Sequence, residues 1–196
     1  MYVEGNWIRV KNACRTTVNK LHTDNNPTNE FKSKILISEH SPIRLIKVNW
    51  LWSNIKSWIS VHFARHHIGF EKWISTQRDD RTGIDRNKST QDTLVNMEAE
   101  ANAQALINIS KVRLCYGCPH KETREYMEDL KLTLKETEPE LADVLVPNCI
   151  YRGGCPEFEP CQFWSNFIKD KSKDELANIK TRYNLYNEWF YNKHEK

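Results

Sequence analysis

No run of apolar residues approaches the roughly 20 that a membrane-spanning helix requires, so no transmembrane segment is expected. The opening residues, Met1-Tyr2-Val3-Glu4-Gly5-Asn6, lack a basic start followed by an apolar stretch. No signal peptide is therefore read, and a cytoplasmic location is expected. No segment repeats and no tract is of low complexity. Net charge is also scarce: 29 Lys and Arg against 26 Asp and Glu leave only +3. A nucleic-acid binder usually concentrates its basic residues in a stripe, so no nucleic-acid partner is expected. A small anion held by a few placed arginines suits this balance better.

Apolar residues make up 39% of the 196, and the mean hydropathy is -0.73. Such a chain has a modest core, which seven Trp, seven Tyr and seven Phe enlarge because aromatic rings bury large areas.

Residues 20–33, rich in Asn, Thr, Asp and Pro, read as a loop. Lys34-Ile35-Leu36-Ile37-Ser38 and Pro42 to Val48 predict two strands. From Leu51 to Phe63, apolar residues recur at three- and four-residue spacing and predict an amphipathic helix. Arg65-His66-His67 lies at its end and Gly69 acts as the stop. Lys72 to Gln77 predicts another strand, before the charged run Arg78-Asp79-Asp80-Arg81-Thr82-Gly83. Helices are expected over Ala99 to Leu114, Glu122 to Leu134 and Asp174 to Tyr191. The expected fold is α+β, a small antiparallel sheet packed with several long helices, in one domain spanning 1–196.

The most unusual stretch is Ala64 to Arg78. It places a basic patch at a helix end, then small polar residues and an arginine on a strand. Guanidinium forks suit phosphate because they donate two parallel hydrogen bonds. Ser75, Thr76 and Gln77 add hydroxyl and amide groups. Taken alone, basic residues at a helix C-terminus serve equally well as complements to its dipole.

The surroundings of this stretch resemble the flavin-dependent thymidylate synthases. That family carries Arg-His-Arg, seven residues, then Ser; here Arg65-His66-His67 precedes Ser75 at the same spacing. Glu39-His40 matches the family's Glu-His pair ahead of the motif, and Ala13-Cys14-Arg15-Thr16-Thr17 its Ala-x-Arg-x-Ser/Thr segment. Asn102, Asn108 and Arg113 reproduce the intervals of its helix, and Glu122-Thr123-Arg124 is similar to the segment that follows. The resemblance covers residues 13–124; residues 140–196 hold a cysteine-containing loop and a C-terminal helix.

The resemblance implies an enzyme, a homotetramer with active sites shared between subunits. It would methylate dUMP to dTMP with FAD, methylenetetrahydrofolate and NADPH. It places His40, Arg65, His66, His67, Asn102, Ala103, Gln104 and Asn108 at the flavin. Nucleotide contacts fall to His62, Arg65, Ser75, Thr76, Gln77 and Arg78. Arg113 would be the catalytic arginine that holds the uracil ring and favours its N3-ionised form, since a guanidinium at the carbonyl edge stabilises negative charge as C5 becomes nucleophilic.

The chain also departs from the pattern. His67 replaces an arginine, so a permanent charge becomes a group that titrates near neutrality. His62 stands where the family often has Gln, and Trp73 where it often has Glu. The segment between Arg78 and Asn102 is short and lacks the insertion carrying another arginine, which Arg81 or Arg86 would have to replace. Two alternatives follow: the same fold acting on another pyrimidine nucleotide, such as a hydroxymethylating enzyme, or a cysteine-stapled nucleic-acid-binding module.

Cys115-Tyr116-Gly117-Cys118 is a CxxC, with Cys149, Cys155 and Cys161 downstream and His120 nearby. A structural zinc is one reading; free buried thiols or disulfides are the others, and the spacing fits no standard zinc module. No metal is assigned from the sequence. Cys14 is expected to be a packing residue.

Overall fold

A computed structural model describes residues 1–117 and 120–195; Cys118 and Pro119 within the CxxC region and the terminal Lys196 lie outside the described residues. Strand β1 (Tyr2–Glu4) leads into helices α1 (Trp7–Thr16) and α2 (Asn29–Ile37), then a 3₁₀ turn over Ser41–Leu45. Next come β2 (Lys47–Lys56), α3 (Ser57–Ala64), β3 (Phe70–Ile74), α4 (Asp79–Thr82), a 3₁₀ turn over Arg86–Lys88 and β4 (Leu94–Asn102). The rest is helical: α5 (Ala103–Arg113), α6 (Lys121–Thr137), α7 (Pro139–Asp143), α8 (Asn148–Arg152), α9 (Phe163–Phe167), α10 (Lys173–Ala177) and α11 (Ile179–His194). The α+β class expected from the sequence is the one observed.

The four strands form an antiparallel sheet in the order β1-β2-β4-β3. Its inner face carries Val48, Trp50, Trp52, Ile55, Phe70, Val95, Met97, Ala99 and Ala101, all buried. Helices α3 and α5 pack against the sheet, and α6 packs against both. The small Ala99 and Ala101 leave room on β4 for Trp50 and Phe70, whose rings stack at 5.8 Å. On the outer face Leu51 and Trp73 flank Glu98, and both are 58% exposed. Among the described residues, no helix is long and apolar enough to cross a membrane.

Several sequence-based boundaries are corrected. Lys34–Ile37 belongs to helix α2, which already begins at Asn29 inside the expected loop and ends with Ser38 as its C-cap; Thr28 caps its start by accepting from the Phe31 N–H at 3.2 Å. The run is apolar because the helix buries Ile35 and Leu36, so its length misled. Pro42 to Leu45 is a 3₁₀ turn with Pro42 near its start, and the strand begins at Lys47.

Leu51–Lys56 is strand, and only Ser57–Ala64 is helix. Here a bulge is the cause. Asn54 adopts φ 57° and the register shifts between Trp52 and Ile55. The shift turns both side chains inward three residues apart, which imitates helical spacing. Similarly, β4 continues through Asn102, whose side chain accepts from the Ala105 N–H at 2.9 Å and starts α5 there. The strand expected at Lys72 to Gln77 runs from Phe70 to Ile74. The C-terminal helix is split at Asn178, an extended residue that caps α11. Helix α6 lies where expected.

Candidate functional site

Helix α3 ends at Ala64 with Arg65 as its cap, and Gly69 then turns the chain into β3 with φ +68°. A Cβ at Gly69 would lie 2.2 Å from Asn102 Nδ2, so the turn packs directly on the first residue of the α5 junction. The Asn102 N–H donates to the Gly69 carbonyl at 3.0 Å. This close approach holds the Arg65-His66-His67 segment against α5.

Two hydrogen bonds help hold Arg113, which is only 8% exposed near the end of α5. Its Nε donates to His66 Nε2 at 3.1 Å, and its Nη2 donates to the His62 carbonyl at 2.5 Å. Accepting at Nε2 requires a neutral imidazole with its proton on Nδ1. Burial, reinforced by Arg113, Lys72 and His67, pulls the His66 pKa down to about 4, which agrees with the neutral form. Lys72 Nζ donates to the His66 carbonyl at 2.7 Å. His62 is likewise lowered, first by burial and then by Arg113, and its Nδ1 lies 2.9 Å from Thr123 Oγ1. Its ring meets those of Trp58 and His120.

Arg65, His66 and His67 line a shallow cavity of about 180 Å³ with Ile68, Asn108 and Ile109. Arg65, His67 and Asn108 are exposed on its rim. A second polar group flanks α5. Glu39 accepts from Lys111 Nζ at 2.5 Å and from Gln104 Nε2 at 2.5 Å. Glu39 occupies the left-handed region at φ 50°, closing α2 in a position glycine usually takes. The His40 N–H donates to the Ile35 carbonyl, and His40 Nδ1 lies 3.9 Å from Cys14 Sγ on α1. The Glu39-His40 turn thus joins the Ala13–Thr17 segment to α5.

The sequence-derived set divides. Arg65, His66, His67, Asn108 and Arg113 come together, with His62 behind them and Gln104 beside Asn108 at 3.5 Å. Ala103 is fully buried and its N–H donates to the Ile46 carbonyl, so only its backbone helps build the site. Asn102 works as the helix cap. Ser75 to Arg78 sit elsewhere: Ser75 N–H donates to the Asn96 carbonyl and Ser75 Oγ accepts from the Asn96 N–H, both at 2.9 Å. Asn96 and Asn102 are six residues apart on one strand, roughly 20 Å at about 3.3 Å per residue. Within one chain the two groups therefore face no common cavity. Arg78 forms a forked pair with Asp80 at 2.9 Å, and Gln77 Nε2 is buried with no partner among the described residues.

Sequence reasoning missed Lys111, Lys72, Thr123 and the carboxylate of Glu39. Lys111 lies seven residues after Gln104, on the same helix face, which was the available signal.

These features define an α+β protein with a guanidinium–imidazole site where a strand–helix junction meets the end of a short helix. No family model matches the chain, and no curated protein sequence matches it. The fold is similar to that of a solved structure, a UMP/dUMP methylase, PolB, from Streptomyces cacaoi bound with 5-Br dUMP. The TM-score is 0.58 at 13% identity, over 74% of this chain and 92% of that one.

Proposed function

We propose that the protein methylates dUMP to dTMP in the manner of the flavin-dependent thymidylate synthases, using FAD, methylenetetrahydrofolate and NADPH. The observation that carries this reading is the Arg113–His66 contact, which draws the Arg65-His66-His67 motif and the Asn108 helix onto one cavity. A fold shared with a protein solved with 5-Br dUMP supports a pyrimidine nucleotide as substrate.

The residues suit an anionic, ring-bearing cofactor, but one chain does not enclose it. A cavity of about 180 Å³ falls below the roughly 300–1,000 Å³ usual for ligand sites. The rim is basic and the half-buried imidazole neutral, a combination that binds phosphate at the edge and an uncharged ring within. Arg65, His67 and Asn108 would hold the flavin, with His40 and Gln104 on the neighbouring turn. Reduced flavin would supply hydride and the folate the methylene carbon. Ser75, Thr76, Gln77 and Arg78 would hold the nucleotide phosphate, and the unpartnered Gln77 amide supports a missing polar ligand there. Because these groups lie at the other end of the sheet, they would complete the site of another copy. A homotetramer provides that arrangement, and exposed Leu51 and Trp73 offer apolar contact area. Arg113 would stabilise charge developing on the uracil ring.

Two measurements test this. Purified protein should be yellow and retain FAD, and should convert dUMP to dTMP when methylenetetrahydrofolate and NADPH are supplied. Colourless protein that ignores FAD would end the proposal. A second reading, another pyrimidine nucleotide as substrate, draws on His67 standing in place of a permanent cation. A panel of UMP, dUMP and dCMP separates the two.

A further inference from the structure

A second cavity, of about 270 Å³, lies away from the guanidinium–imidazole site and is lined by Cys115, Cys149, Cys155 and Cys161. These thiols come from four places: the residues after α5, helix α8 and both ends of the Cys155–Cys161 loop. All four are free, and none is disulfide-bonded. Gly117 lets the backbone approach them. A Cβ there would lie 3.7 Å from both Cys115 Sγ and Cys161 Sγ and 3.2 Å from Cys161 Cβ. Pro156, Pro160 and Trp164 complete an apolar wall, and Tyr116 is clamped against Phe163 at 4.4 Å.

Four thiols from separate segments meeting at one cavity need a reason. Reactive thiols are lowered in pKa by cationic surroundings. Among the described residues that line this cavity, none is Lys, Arg or His. A single zinc is also a poor fit, because tetrahedral bonds of about 2.3 Å bring four sulfurs to roughly 3.8 Å from one another. Among the described residues, no three His, Cys, Asp or Glu side chains are grouped closely enough to hold one metal ion. What remains is a larger guest with soft metal corners. Four cysteine thiolates around a cubane of iron and sulfide meet that description.

We propose that Cys115, Cys149, Cys155 and Cys161 ligate an iron–sulfur cluster in this cavity. The cluster ties the end of α5 and helix α8 to the Cys155–Cys161 loop, a loop with no helix or strand of its own. It is independent of nucleotide methylation, so either proposal stands if the other falls.

The test is chemical analysis of the full chain purified without oxygen. About four iron and four acid-labile sulfide per chain are expected. Combined Cys155→Ser and Cys161→Ser substitutions should leave about a tenth of that iron or less, whereas Cys14→Ser should leave it intact. Gly117→Val retains every cysteine and should also lose the cluster, by intruding between the sulfurs. Zinc without sulfide, or a folded wild-type chain with neither metal nor sulfide, would overturn the assignment. Iron unaffected by the double substitution would overturn it equally, and the wild-type measurement decides even if a variant fails to fold.

Discussion

Arg113 on α5 and Lys131 on α6 are both buried cations, on helices that pack against each other, yet their surroundings differ in kind. Arg113 donates to the His62 carbonyl and to the imidazole of His66, and His66 lines a cavity that opens to solvent between exposed Arg65 and His67. Lys131 is fully buried, donates to the Ala142 carbonyl and to Asn187 Oδ1 at 2.7 Å, and is surrounded by the rings of Tyr186, Phe190 and Tyr191. Burial pulls Lys131 down to about 7. The first cation backs a side chain that lines a space a ligand can enter; the second is sealed into packing. Burial of a charge therefore does not mark function. Its neighbours do.

Truncating each cation is the strongest way to break this contrast. Arg113→Ala and Lys131→Ala should each lower stability by about 3 kcal/mol, because each leaves buried acceptors unpaired and a void. Denaturant titration checks that equality. Only Arg113→Ala should also abolish dUMP binding, measured by calorimetry on folded protein. Equal loss of affinity in both would erase the distinction. A somewhat smaller effect is expected from Gly69→Ala, about 2–3 kcal/mol, through the left-handed backbone and the collision with Asn102 Nδ2. Its thermal shift should come with weakened ligand binding, since the same turn holds His66 against Arg113.

The pH dependence sharpens the comparison further. His66 is held at about 4 in the folded chain against about 6.5 when unfolded, so the unfolded chain takes up the proton first as pH falls. Stability should be unaffected by His66 above pH 6.5, decline between 6.5 and 4, and level off below. The loss is about 2 kcal/mol after allowing for partial solvent screening. His62 shifts in the same direction and adds to the decline. Lys131 acts with the same sign in another window: stability should rise with pH between about 7 and 10.5. Urea midpoints across pH check both limbs, and His66→Asn should make the acid limb shallower while leaving the alkaline limb unchanged.

How much of this was legible in the sequence depended on whether a feature is local. The Arg65–Gly69 stop and helix α6 are set by neighbours along the chain, and they lie where expected. The bulge at Asn54 is a tertiary feature, and it converted strand alternation into false helical spacing over Trp52 and Ile55. The short apolar run Lys34–Ser38 was equally ambiguous, since it lacks the length to separate a buried helix from a strand. The separation of Ser75–Arg78 from Arg113 could not be seen either. Spacing along the chain says nothing of which end of a strand a residue occupies until the register is known. The four cysteines were visible as residues, but not their convergence, because the segments carrying them meet only when α8 docks on α5.

The smallest expected effect tests the sealed side of the comparison. Tyr186 is fully exposed to neither water nor ligand: its ring is buried, and its hydroxyl has no hydrogen-bond partner among the described residues. Burial drives its pKa well above the ordinary phenol value. An unpaired buried hydroxyl loses its hydration without compensation, whereas the ring keeps its contacts with Phe163, Trp189 and Phe190. Tyr186→Phe removes the polar atom and preserves the shape. Stability should rise by about 1 kcal/mol, read as a higher thermal midpoint with unchanged ligand affinity. A fall instead would mean that the hydroxyl is satisfied, and that the aromatic region carries a polar partner of its own.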